Sequence, residues 1–221
     1  MNTLRKSNPW LSLGKEQPFV LDGDLEAIRA INSKHSGRKT EIRLDVMPEP
    51  FVGNPEAPIW LLNLNPGFDE GDLTHGDDIR EQQRTALTLE ADHFWLLNPK
   101  NDHIPGYHWW TKRTRKLAEE VGLRNVTTGL FCVELFPYHS QSFLPGAKVP
   151  SQDFTFEVVR SGVRKKKTFL VMRSEKVWRQ AVPELGDADL IRTNTPRCAY
   201  LTPGNISRFN EVVAKLEKQG I

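Results

Sequence analysis

Cysteine is scarce in this chain: its 221 residues include two, Cys132 and Cys198. Two thiols at no metal-ligand spacing exclude a disulfide framework and fit a reducing compartment. Long hydrophobic runs are also missing. No stretch approaches the roughly 18 apolar residues of a membrane span. The opening MNTLRKSNPW lacks the apolar run of a secretory signal. The expectation is a cytoplasmic protein with no membrane partner. An excess of either charge is lacking as well. Lys and Arg number 30 and Asp and Glu 28, a formal net charge of +2. Composition by itself therefore selects neither nucleic acid nor anionic lipid. There is no internal repeat and no low-complexity tract. A chain of this length buries a sizeable core, and a single domain over 1–221 is expected.

What is present is an alternation of apolar strands with amphipathic helices. Residues 1–50 read as an N-terminal wrap with one helix over 24–32, where Leu25, Ile28 and Ile31 recur at three-residue spacing. A short strand is expected over 41–46. Residues 48–55 carry three prolines and read as irregular. From residue 58 the pattern is regular. Strands are expected over 58–64, 126–135, 168–172 and 188–192. Helices are expected over 77–87, 107–121, 154–163, 174–182 and 205–219. Gly122 ends the second of these. The run Pro58-Ile-Trp-Leu-Leu-Asn-Leu64 is apolar almost throughout, as in a strand covered on both faces. Strand–helix alternation implies right-handed crossovers. The fold class expected is α/β, a three-layer αβα sandwich around a four-stranded, mostly parallel central sheet. Residues 51–221 form its core, with an insertion over 69–107.

In such sheets ligands bind beyond the carboxyl ends of the strands. That rule selects four loops: 65–73, 136–143, 173–176 and 193–205. In the first, Asn65-Pro66-Gly67 makes a sharp turn; the Asn65 amide both donates and accepts, Phe68 offers a flat face, and Asp69 and Glu70 can act on water. An ordinary turn accounts for the same residues. In the second, His139 is a proton-transfer group and Tyr138 a stacking ring, unless the loop is solvent-facing with ordinary aromatic packing. In the fourth, Arg197 suits a phosphate, and Asn194 or Thr195 can hydrogen-bond a base, whereas Thr202 and Asn205 read as helix caps. Lys112, Arg115 and Lys116 share one helix side, as a phosphate-facing stripe or a solvated face. The basic run 164–167 precedes a strand, so it falls at the opposite end of the sheet. His75, His93, His103 and His108 fit no common metal-ligand spacing, and neither a metal nor another cofactor is expected. Phe94, Trp95, Trp109 and Trp110 read as local core.

The segment Pro58 to Gly67, preceded by Phe51-Val-Gly-Asn-Pro55, resembles the first motif of the uracil-DNA glycosylase superfamily. In the mismatch-specific and single-strand-selective branches an Asn-Pro-Gly turn follows the first core strand. The aromatic pair Trp109-Trp110 before an amphipathic helix, and then Phe136-Pro-Tyr-His139, follow in similar order. Asn194-Thr195-Pro196-Arg197 stands where that superfamily usually carries His-Pro-Ser, and two cysteines are too few for its iron–sulfur branches. The resemblance implies a monomeric glycosylase-like enzyme that hydrolyses the N-glycosidic bond of a flipped, uracil-like or damaged base in single-stranded or damaged DNA. It places the water-orienting role on Asn65, with His139 and Asn194 as further catalytic candidates. Phe68, Asn63 and Tyr138 would hold the base, and Arg197, Lys112 and Arg115 the phosphates. The alternatives are a non-catalytic module for a free nucleobase, nucleotide or nucleic-acid end on the same fold, and an interaction protein whose exposed aromatic residues meet a partner.

Overall fold

The structure, a computed structural model, describes residues 2–195 and 199–218. Two short helical pieces open it, α1 (Asn2–Lys6) and a 3-10 turn (Pro9–Ser12). The side chain of Asn8 organises that turn: Oδ1 accepts from the Trp10 amide, and Nδ2 donates to the Leu87 carbonyl at 2.7 Å. Helix α2 (Asp22–His35) extends the predicted 24–32 at both ends, with Asp22 and Asp24 in its first turn and Lys34 and His35 in its last. Those signs oppose the helix dipole at each end.

No strand forms over 41–46. The chain over 41–49 instead runs beside the 136–143 loop through isolated bonds, Arg43 N to His139 O at 2.9 Å and Glu49 N to Pro137 O at 3.0 Å. The proline-rich stretch does contain a strand, β1 (Phe51–Gly53). Prolines at 48, 50 and 55 flank these three residues rather than interrupt them, and an edge strand tolerates them there. Gly53 has φ +99°, and a Cβ there would sit 2.4 Å from the Leu130 carbonyl oxygen. Only glycine fits that approach.

The remaining elements are β2 (Ile59–Asn63), α3 (Asp77–Leu87), α4 (Pro105–Val121), α5 (Leu123–Gly129), β3 (Leu130–Glu134), α6 (Gln152–Arg164), β4 (Thr168–Val171), α7 (Glu175–Ala181), β5 (Asp189–Arg192) and α8 (Phe209–Glu217). The predicted strand over 126–135 is thus shortened. Gly122, at φ +81°, ends α4, and the chain at once makes two further helical turns before β3. The last helix also starts later than expected, because Asn205 closes a loop by bonding Thr195 N and Tyr200 O.

The sheet has five strands, in the order β1-β3-β2-β4-β5, rather than four. The last four are mutually parallel, and β1 joins β3 antiparallel. Alternation along β2 feeds two separate cores. Trp60 and Leu62 face α2, α6 and α7, whereas Ile59 and Leu61 face α4, α5 and α8. This is the three-layer αβα arrangement. Trp60 is the centre of the first core, with Phe131 at 4.7 Å and Phe169 at 5.8 Å, both edge-on. Gly162 of α6 lets these rings approach; a Cβ there would lie 2.8 Å from the indole. Burying such a side chain stabilises by about 2–3 kcal/mol.

Candidate functional site: a polar cleft at the carboxyl edge

The strands β2 and β3 continue as paired chains past their ends. Leu135 N bonds Asn63 O, Phe136 N bonds Leu64 O at 2.8 Å, and Ser140 N reaches Pro66 O. The loops after the two central strands therefore travel together, which brings residue 139 beside residue 67. Trp178 of α7 locks the base of this assembly by donating its indole N–H to the Asn63 carbonyl at 2.9 Å. Above it opens a cleft of about 940 Å³. Its floor is the ends of β2, β3 and β4; one wall is the Asn-Pro-Gly turn with the 139–143 loop, and another is the start of α4.

Four of the sequence candidates with direct roles in base chemistry line this cleft: Asn63, Asn65, Phe68 and His139. Asn65 is fixed by its amide nitrogen, which donates to Pro66 O at 2.9 Å and Ser140 Oγ at 3.0 Å. Its carbonyl oxygen is left for another donor. His139 is 4% exposed, and Nδ1 lies 2.6 Å from the Gly67 carbonyl. A carbonyl only accepts, so Nδ1 carries hydrogen. Nε2 is buried and has no partner among the described residues. Phe68 carries the Arg43 guanidinium over its ring at 4.1 Å, so one face is already occupied.

The other candidates fall elsewhere. Tyr138 is fully buried; its hydroxyl donates to Asp24 Oδ2 at 2.7 Å and accepts from Leu21 N, and the ring packs on Trp10. It pins α2 to the sheet and is no stacking platform for a ligand. Asn194 is exposed and donates to Gly204 O, away from the cleft. Arg115 points to solvent beside Glu119. Lys112 does line the cleft, next to Arg113, which lies on the Trp109 ring at 3.6 Å. Arg197 lies outside the described residues. Of the aromatic residues in and just after the insertion, Phe94, Trp95 and Trp110 are core, as the sequence suggests, while Trp109 sits half-buried at the cleft.

Of the carboxylates named from the sequence, Asp69 lines the cleft and accepts from Gly71 N, but the cleft's buried carboxyl groups were missed. Glu134, the last residue of β3, is 4% exposed; its Oε1 accepts from Asn63 Nδ2 at 3.0 Å. Its Oε2 is buried without a partner among the described residues. Burial pushes this carboxyl up to about 8, with the nearby Glu49 adding to the effect and Asn63 opposing it. The raised value favours the protonated acid at pH 7, and the unpartnered Oε2 is the oxygen placed to donate. Glu49 is also raised by burial and is held by Gln83 Nε2 at 2.7 Å. Asp72 caps the 3-10 turn Glu70–Thr74 by accepting from Asp69 N, and its other oxygen lies 3.6 Å from His75 Nε2. Burial lowers the His75 imidazole. One signal for Glu134 was available: it is the single charge in the apolar run from Gly129 to Tyr138.

Among the described residues no group of three or more His, Cys, Asp or Glu side chains could hold a metal ion, and no helix is long and apolar enough to cross a membrane. The described thiol, Cys132, is buried, and burial beside Glu134 raises it well above the usual range, so it is not a nucleophile. Comparisons with models of known protein families, with curated proteins and with solved structures found no match to this chain.

Proposed function

We propose that this cleft receives a single nucleobase and that the protein acts as a glycosylase-like hydrolase of the N-glycosidic bond in DNA, working as a monomer in a reducing, cytoplasmic setting. The observation that carries the reading is the convergence of Asn65, His139 and the Asn63–Glu134 pair on one cleft of about 940 Å³, with room for a nucleobase and the sugar and phosphate attached to it. Asn63 has its side-chain oxygen Oδ1 free and Glu134 a proton to give. Side by side, they offer an acceptor and a donor, the complement of the N–H and C=O of a lactam such as uracil. Extruding that base from a strand costs a few kcal/mol, which contacts of this kind offset. Asn65, its amide nitrogen tied to Ser140, directs its carbonyl oxygen at a water. The free Nε2 of His139 takes a proton from that water as the glycosidic bond lengthens. The neutral Glu134 stabilises charge growing on the departing base.

The test is base release from oligonucleotides carrying uracil, hypoxanthine or mismatches, single- and double-stranded, scored as alkali-labile sites. The expected result is cleavage that Asn65→Ala lowers at least ~100-fold, a general-base or positioning loss, with the melting temperature showing that the variant is folded. No release from any substrate removes the hydrolase reading.

A second reading, a binder without turnover, is favoured by one observation. Asn194 and Thr195 are turned into their own loop, so the last loop's described residues give the cleft no catalytic side chain. It predicts thermal stabilisation by free bases or nucleotides and no base release.

A further inference from the structure

Arg173 follows β4 directly. The pairing of that strand continues one residue past its end, with Met172 N on Leu62 O at 3.0 Å, so Arg173 leaves the sheet from a fixed point. Its side chain lines the cleft beside Glu134. Three other arginines have settled partners: Arg43 binds Asp45, Arg192 binds Glu175, and Arg208 binds Asp189 and Glu211. Among the described residues nothing hydrogen-bonds Arg173 or forms an ion pair with it, and its Nε is buried without an acceptor. The adjacent Glu134 feels this charge, which lowers its carboxyl against the burial that raises it, but its Oε1 is taken by Asn63 and its Oε2 bonds none of the described residues, the guanidinium included. A half-buried guanidinium with an unmet N–H lacks an anion.

We propose that Arg173 is the anion-holding residue of this cleft and that the ligand presents a phosphate to it. The geometry is that of adjacent strand ends. Asn63 and Glu134 are a register pair across β2 and β3, and Arg173 stands past the end of β4 on the other side of β2. A base over the first pair places its attached sugar and phosphate within the same cleft. Arg173 grips the phosphate through its planar fork, which a lysine would replace only in charge. The identification of the base rests on the function proposed above; the need for an anion does not. The phosphate belongs either to a mononucleotide or to a strand's phosphodiester.

The experiment compares the full-length protein with Arg173→Gln and Arg173→Lys by titration with uridine, uridine 5′-monophosphate, a ten-nucleotide thymidine oligomer and inorganic phosphate. In the native protein the monophosphate or the oligomer should bind roughly ten- to a hundredfold more tightly than uridine. Arg173→Gln should erase that advantage while leaving uridine affinity intact, and Arg173→Lys should restore part of it. Preference for the monophosphate identifies a mononucleotide; preference for the oligomer alone identifies a strand. Phosphate binding that depends on Arg173, with no binding of uridine or nucleotides, supports the anion position and sinks the nucleobase reading. Equal binding of uridine and its monophosphate, or equal losses of both in Arg173→Gln, overturns the proposal and leaves the nucleobase reading standing. No binding of any probe overturns both.

Discussion

Glu134 keeps its proton at a pH where the unfolded chain has lost it. Its carboxyl titrates at about 8 when folded, against the ordinary 4.5. Between those values the native state holds more protons than the unfolded state, so its contribution to stability declines as pH rises through that window. Glu134→Gln keeps an acceptor for Asn63 and removes the titration. Its expected effect is a gain on the order of 3 kcal/mol at pH 7 that disappears near pH 4.5, measured as the difference between denaturant melts at the two values. Ligand binding should follow the same group. The native protein's affinity for a lactam base falls above pH 8 as the donor is lost, and the variant's affinity stays flat; parallel profiles would remove Glu134 from base recognition. Asn63, Asn65 and His139 could be picked out beforehand because they sit where a strand pattern gives way to a loop. Glu49 could not, and Glu134 showed only as the single charge in an apolar run. Each acquires meaning from burial next to an amide on another element, and neither the partner nor the burial is written in local spacing.

The elements themselves were readable where periodicity was long and unbroken. Strands β2 and β4 and helices α3 and α4 lie close to their expected bounds because continuous apolar runs and a terminal glycine mark them. Strand β1 was hidden by its prolines, since its three residues form a strand only by virtue of the long-range pairing with β3. Gly53→Ala tests that account. Its Cβ would meet the Leu130 carbonyl and the Phe94 ring, and the expected loss is about 3 kcal/mol or more in a denaturant melt. At the opposite end of the sheet Asp189 gathers Thr168, Arg208 and Lys215 around its carboxylate. Hydrogen bonds from these groups hold it well below the usual carboxylate range, overcoming partial burial. The stabilisation is present above the ordinary carboxylate value and is lost as pH falls through the depressed one. Asp189→Asn should cost about 1 kcal/mol at pH 7 and nothing in strong acid, with melts across pH as the measurement.

At the scale of the whole molecule, the topology rule located the cleft before any coordinates, since loops after parallel strands must gather at one edge. It overreached with the fourth loop. Strand β5 is at the sheet's edge, two places from β2, and the described part of its loop folds back on itself instead of reaching the floor. The N-terminal arm was also under-read. Leu4, Trp10 and Leu13 belong to the same core as Trp60, and Trp10 meets the ring of Tyr138. Removing residues 1–13 should therefore lower the melting temperature by about 10 °C or more, given 3–5 kcal/mol for the indole alone, as scanning calorimetry would read. The bond from the Trp178 indole to the Asn63 carbonyl has one more consequence. The chromophore is wired to the backbone of the residue that meets the ligand, so the protein carries its own optical gauge. Filling the cleft should shift the tryptophan emission, and Trp178→Phe should remove the part of that shift which Trp109, itself at the cleft, does not supply.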